Sequence, residues 1–438
     1  MATRRHAKEP ATAATAGTLL HRMFDAAVES ALPDRCVPRF LPSPPPGRTV
    51  VIGAGKAAAT MARVVEGAWD GPLAGLVVTP YGHAVPCRRI VVAEARHPVP
   101  DENGVDATRR MVALLDGLTA DDLVLCLISG GGSALLAAPP AGVTLADEQQ
   151  LVRELLRCGA TIGEMNCLRK HLSTVKGGRL ANLAAPARLL TLVISDVPGD
   201  DPATVASGPT VADPTTREEA LAVLTRYGLA TSGAVLEWLR DPASETPKAG
   251  TLADAPCHVI ATAQGALGAA AEVARVAGYT PLILGDAIEG EAREVARMQA
   301  DIVRQVRSSG EPVSAPCVLL SGGETTVTVA GSGRGGRNAE FLLALAVALK
   351  GAPGVHALAA DTDGIDGTEG NAGAVIGPDI LARGRAAGRS AVDDLARNDS
   401  YGYFEAVGAL VTTGATLTNV NDFRAVLIDG SRLGDTRA

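Results

Sequence analysis

A lysine set inside a glycine-rich turn is the first feature of this chain with chemical potential. Val50 to Ala62 reads VVIGAGKAAATMA: an apolar strand, a turn holding Gly53, Gly55 and Lys56, then a helical pattern. A Walker P-loop needs glycine at position 50 and Ser or Thr at 57, where Val50 and Ala57 stand. The Gly53-x-Gly55-x-x-Ala58 spacing fits a dinucleotide turn locally, but the next strand ends in Thr79 and Pro80 with no carboxylate to hold a ribose. Both motifs share what remains, a helix N-terminus with an ammonium beside it, which is an anion site. Of 40 basic residues only six are lysines (Lys8, Lys56, Lys170, Lys176, Lys248, Lys350). A lysine in this turn therefore answers a need for a compact charge.

Further stretches add to it. Leu127 to Pro139 places Ser129, Gly130, Gly131, Gly132 and Ser133 directly after an apolar strand. Three successive glycines are entropically costly, and they let backbone N–H groups approach a phosphate, with Ser133 adding a hydroxyl. The run is no G-x-S-x-G elbow, so neither serine reads as a hydrolase nucleophile. Asn166 to Ala181 concentrates Arg169, Lys170, His171, Lys176 and Arg179 in an otherwise acidic protein. The spacing of Arg169, Ser173, Lys176 and Arg179 predicts one helical face suited to a polyanion. Asp196 follows the end of a strand, where open α/β sheets keep their ligands. It suits Mg²⁺, which takes one or two carboxylates, while Asp200 and Asp201 also fit Asx turns. Gly322-Gly323-Glu324 and Gly336-Arg337-Asn338 repeat the glycine theme, and Asp361, Asp363 and Asp366 crowd a later strand end. The last cluster lacks the closing Glu of a calcium loop. An arginine opposite carboxylates and phosphate-type turns is what phosphoryl transfer requires.

The elements that must position these residues alternate between β-branched runs and helical patterns, which predicts an α/β fold with a largely parallel sheet. At 438 residues the chain has room for two domains. Asp241 to Pro256, rich in Pro, Ser, Thr and Gly, is the predicted linker, with two α/β domains joined near residue 250. A domain cleft is where a ligand is then expected. Hydrophobic content of 47% with 20% charge excludes wholesale disorder, and a net charge of −8 argues against nucleic acid and membrane surfaces. The basic N-terminus has no apolar core, so it reads as a tail before a helix near Thr15 rather than a secretory signal. Seven cysteines without a CxxC pair read as reduced, cytoplasmic thiols.

Taken in order, GAGKAA, HPVPDENG, SGGGSALL, KHLSTVKGGRLA, SDVPGDDPATVASGPTVADPTT, SGGETTVTV, GGRNAEFLLALA and DTDGIDGTEGNAGA resemble the class II glycerate 2-kinases, a family with a MOFRL-type C-terminal domain. Some of its members carry the older name hydroxypyruvate reductase. The resemblance implies a Rossmann-like N-terminal domain over residues 14–245 and a smaller α/β domain over 250–432, with the MOFRL-type region at about 316–430. It also implies ATP- and Mg²⁺-dependent phosphorylation of the 2-hydroxyl of D-glycerate, in a cleft between the domains. Lys56 and Arg337 fall on the family's central active-site residues. On this reading they grip phosphoryl oxygens or the glycerate carboxylate. Asp196 holds Mg²⁺ or orients the hydroxyl, with Asp361 as a further metal ligand and Asp363 as a catalytic carboxylate. Gly53, Gly55, Ser129 to Ser133, Lys170, Lys176, Gly322, Gly323, Glu324 and Asn338 contact substrate or nucleotide. A homodimer is left open. Two departures stand out: Ala415 and Leu417 replace residues of a T-G-P-T-G-T-N-V-N-D pattern, and the usual Asn near Gln264 is absent. Leucine in place of glycine predicts an altered loop. The alternatives are an NAD(P)H-dependent hydroxypyruvate reductase and a non-catalytic sugar-acid or nucleotide sensor.

Overall fold

The computed structural model describes residues 13–252 and 255–430. The tail expected before the first helix lies largely outside the described residues. The chain divides into two compact units. One comprises Ala31–Thr262 with the short segment Leu417–Val420; the other holds Ala263–Thr416, the helix Ala13–Ser30 and the strand Asp422–Ile428.

The first unit is a six-stranded parallel sheet built from β1 (Thr49–Ala54), β2 (Leu73–Pro80), β3 (Ile90–Ala95), β4 (Leu123–Ile128), β5 (Arg188–Ile194) and β6 (Cys257–Ala261). Its order is β3-β2-β1-β4-β5-β6, the doubly wound arrangement in which the strand order reverses between β1 and β4. Both central strands are buried along their whole length, which is why they read as unbroken apolar runs rather than alternating ones. Gly53 sits inside β1 because a Cβ there would lie 2.1 Å from the Leu127 carbonyl oxygen of β4.

The second unit carries a mixed sheet of β7 (Thr280–Gly285), β9 (Cys317–Ser321), β11 (Val355–Asp361), β12 (Gly373–Ile376), β13 (Leu410–Val411) and β14 (Asp422–Ile428), in the order β13-β12-β11-β14-β9-β7. Only the β7–β9 pair is parallel. Between them, β8 (Gly290–Glu291) and β10 (Thr325–Thr326) form a two-residue ladder. The helices Ala292–Ser309 and Arg337–Leu349 cover one apolar cluster of this sheet.

Three organisational expectations differ from the structure. The helix Ala13–Ser30 belongs to the second unit, where it packs on the helix Ala263–Val276 and sets Phe24 against Phe423 at 5.7 Å. The boundary falls after β6 rather than at residues 245–250, because β6 completes the first sheet beside β5. The supposed linker is anchored instead of loose. Arg179 donates to the carbonyls of Ala243, Ser244 and Glu245, and Thr246 donates to Asp213. Pro and Gly there serve turns, not flexibility.

Candidate active site

The carboxyl ends of β1, β4 and β5 bring together Lys56, the Ser129–Ser133 turn and Asp196. The two glycine turns are pressed against each other. A Cβ on Gly55 (φ +136°) would meet Ser129 Oγ at 2.2 Å, and one on Gly132 would stand 3.1 Å from the Ala54 carbonyl oxygen. This contact spends the backbone donors of the first turn. Lys56 N–H donates to the Gly130 carbonyl at 2.8 Å, and Ala57 N–H donates to Ser129 Oγ at 3.0 Å. Ser129 is therefore a buried cap for the helix Ala58–Ala68, not a ligand contact. The first turn contributes through the Lys56 side chain alone, whose stem passes 3.7 Å from the Cβ position of Gly131.

The backbone N–H groups of Gly130 and Gly131 find no acceptor among the described residues. Gly131 is left-handed (φ +81°), and successive N–H groups in such a turn make an anion-binding nest. His97 lies over it, 3.2 Å from the Gly131 Cβ position. Asp196 closes the nest so tightly that a Cβ on Gly130 would stand 1.7 Å from its Oδ2. The same oxygen accepts from Asn419 Nδ2 at 3.2 Å.

Ser133 points inward. Ser207 Oγ donates to Asn166 Oδ1 at 2.9 Å, and with that proton committed Ser133 must donate to Ser207, also at 2.9 Å. Ser133 thus offers lone pairs, not a donor, to a ligand. Ala206 and Ser207 are both left-handed (φ 51° and 60°), a strain of order 1–3 kcal/mol each that proteins keep at functional sites. The Lys176–Gly178 turn holds this loop, with Gly177 and Gly178 N–H groups donating to the carbonyls of Ser207 and Gly208.

In the second unit Arg337 opens the helix Arg337–Leu349 and is gripped by three carboxylates. Its Nε donates to Asp422 at 2.8 Å, Nη2 to Asp361 at 2.7 Å and Nη1 to Glu324 at 3.0 Å. Burial works against its charge, but Asp422, Asp361 and Glu324 outweigh it and push its pKa up. Asp422 is shared: its second oxygen accepts from the fully buried Arg424. Asn338 is also fully buried, donating to Asp422 at 2.7 Å, so it supports the arginine rather than a ligand. Asp366 accepts from the N–H groups of Asn338 and Ala339, both at 2.9 Å, capping the helix. Burial drives the Asp366 carboxyl up to about 6 against those donors. Arg337 borders a cavity of 690 Å³ walled by Gly290, Thr325, Gly335, Gly336 and Asn398 among others, a volume typical of small-molecule sites.

Several expected roles change. Lys170 Nζ is buried against Asp213 at 3.0 Å, and Lys176 Nζ against Glu148 at 3.3 Å. Both are internal ion pairs, not ligand contacts. The single basic face does not exist, because the helix ends at His171 and the next begins at Arg179. Asp361 carries Arg337 on Oδ2 and the Asp363 N–H on Oδ1; a guanidinium on the carboxylate opposes a cation there. Asp363 Oδ1 closes a local turn on Ile365 N–H, and Asp201 Oδ1 does likewise on Ala203 N–H. Gly322 N–H is spent on Gly285 O, and Gly323 (φ +109°) passes Ile288 where no Cβ fits. Leu417 adopts a left-handed backbone (φ 64°), a conformation that costs a residue with a side chain roughly 1–2 kcal/mol. Asn419 and Asp422 were missed as site residues, although both lie in the NVND run at the end of that pattern.

A nest, a lysine and a carboxylate at one switch point equip an α/β protein to handle anionic small molecules. The domain of unknown function DUF4147 matches residues 19–240 and the MOFRL family matches residues 317–422. An Agrobacterium vitis protein provisionally named as a hydroxypyruvate reductase is 56% identical over 94% of this chain and 95% of its own length. The D-glycerate 2-kinase of Thermotoga maritima is 42% identical, over 92% of this chain and 95% of that one. The crystal structure of a glycerate kinase from the same organism gives a TM-score of 0.87 at 39% identity, covering 95% of this chain and 100% of that chain. The chain belongs to the class II glycerate kinase family.

Gly130→Ala should leave folding nearly intact, since the atom in the way is a side-chain oxygen, but displace Asp196 and lower kcat roughly 100-fold. Unfolding curves alongside initial rates check both halves. Lys170→Met, which strands Asp213, should cost about 3–5 kcal/mol of stability while Michaelis constants stay within about twofold; a selective rise in a Michaelis constant would restore Lys170 as a ligand residue. A raised carboxyl favours the folded state only while protonated. The Asp366 contribution is thus present below its ordinary range near pH 4 and lost as pH rises through about 6. Relative to Asp366→Asn, the wild type should lose roughly 3 kcal/mol between pH 4 and pH 7 in denaturant titrations.

Proposed function

We propose that this protein transfers the γ-phosphoryl group of ATP to the 2-hydroxyl of D-glycerate, giving 2-phosphoglycerate and ADP. The open N–H pair of Gly130 and Gly131, beside Lys56 and Asp196, is the observation that carries the reading. In this reaction the 2-hydroxyl oxygen bonds to phosphorus as the bond to the β-phosphate oxygen breaks, and the hydroxyl proton passes to water. The protein's task is positioning and charge neutralisation. The nest and the Lys56 ammonium meet the anionic oxygens of the transferring group. Asp196, held by Asn419, orients the hydroxyl or would hold Mg²⁺. Such an ion would neutralise phosphate charge, and Asp196 fits it where Asp361, bound to Arg337, does not. In the second unit Arg337 is held by its carboxylates at the rim of its own cavity, charged and fixed.

The reductase name of the relative invites comparison. A dinucleotide pyrophosphate would sit on the N–H groups following Gly53 and Gly55, and those are occupied by Gly130 O and Ser129 Oγ. Kinase chemistry is therefore the better reading. No helix among the described residues is long and apolar enough to cross a membrane. We place the reaction in the cytoplasm, where seven free cysteines are stable.

Pure protein supplied with D-glycerate, ATP and Mg²⁺ should feed enolase directly, without a mutase. Signal that needs a mutase would mean attack by the 3-hydroxyl. NADH oxidation by hydroxypyruvate with no phosphorylated product would instead establish the reductase. Lys56→Ala should lower kcat at least ~100-fold, the scale of one preorganised electrostatic group, with an unchanged melting transition.

A further inference from the structure

The basic stretch Asn166 to Ala181 has one cation with no internal duty. Lys170 and Lys176 are paired, His171 Nε2 meets Glu245 at 3.3 Å, and Arg179 is spread over the carbonyls of Lys170, Ser244 and Glu245. Arg169 makes no side-chain hydrogen bond or ion pair among the described residues, yet it is half-buried. Arginines removed from water are ordinarily paired.

Its surroundings are electrostatically unbalanced. Arg169 and Lys176 share the field of a single carboxylate, Glu148, while Lys170 and Asp213 balance each other. Glu148 Oε2 is buried without a hydrogen-bond partner, so this carboxylate does not reach the Arg169 guanidinium. One positive charge is left over.

The helix Ile162–His171 decides where that charge lies. Helical side chains lean toward the N-terminus, over the residue one turn earlier. For Arg169 that residue is Asn166, whose Oδ1 begins the chain to Ser207 and Ser133. The arginine thus lies on the side of the helix that faces the strained 206–208 loop and the glycine nest. The guanidinium fork suits bidentate contact with a carboxylate or phosphate.

We propose that Arg169 is a substrate-binding residue for an anionic group, a carboxylate or a phosphate, beside Ser133 and Ser207. The proposal rests on the kinase reading only in naming D-glycerate and ATP as the sources of that group. Arg169→Gln should raise the Michaelis constant for one substrate at least about tenfold, with kcat within about threefold and an unchanged melting temperature. Arg169→Lys should recover part of the loss. An effect confined to D-glycerate identifies the carboxylate; one confined to ATP identifies a phosphate. Calorimetric titration of wild type and Arg169→Gln with D-glycerate and with inorganic phosphate decides the matter even if the enzyme proves not to be a kinase. Loss of binding of either probe in the variant upholds the site. Equal binding in both proteins, or no binding of either probe to wild type, overturns it, as do unchanged Michaelis constants in a folded variant.

Discussion

The close approach of the turns after β1 and β4 is the constraint on which the rest of the first unit depends. Two strands that separate the halves of a doubly wound sheet must release their chains at the same edge. Here the turns touch, and glycine at 53, 55 and 132 is what lets them. The contact has a chemical consequence. Because the β4 turn supplies acceptors to the β1 turn, the helix that follows β1 is capped by protein rather than by a ligand. Anion binding moves one turn over, to Gly130 and Gly131, whose own N–H groups are left open. Lys56 keeps its place as the charge beside that nest.

The second unit solves the opposite problem, holding a cation where it can be used. Arg337 alone, half-buried at a helix N-terminus, would suffer both desolvation and the positive end of the helix dipole. Three carboxylates offset this, and Asp422 is tied in turn to Arg424 and Asn338. A network of this density fixes one geometry for the guanidinium, because displacing any member leaves a buried charge unpaired. Asp366 adds a cap at the same helix start.

Much of this architecture is legible in the residues. β1, β4 and β5 announce themselves as apolar runs, and the glycine turns, Lys56, Asp196 and Arg337 are marked by type and spacing. What spacing does not reveal is who satisfies whom. Gly-x-Gly reads as an open phosphate turn, yet its donors are spent on Gly130 and Ser129, partners more than seventy residues away. β12 is not legible in the sequence, because Gly373–Ile376 is four residues inside a glycine-rich stretch, too short for a period to show. The helix Ala13–Ser30 is correctly read as a helix, but its apolar face does not say which core it joins. Asn419 and Asp422 act in different units from neighbouring positions in the chain, which no local pattern encodes.

The basic stretch shows how the two kinds of knowledge combine. Composition singles out its lysines, because lysine is rare in this chain, and rarity suggests purpose. The purpose proves to be different for each. Lys170 and Lys176 are compact charges that meet one buried carboxylate apiece, and burial makes each pair obligatory to itself. Lys56, on a glycine turn whose backbone is already satisfied, is half-buried beside an open nest. Rarity thus distinguishes lysine from arginine but not a structural charge from a functional one. The distinguishing quantity is the local sum of charges: a cation with its own carboxylate is part of the scaffold, and a cation in excess of the carboxylates around it is available to a ligand. By that measure Arg169, common in type and unremarkable in spacing, is available to a ligand where its lysine neighbours are not.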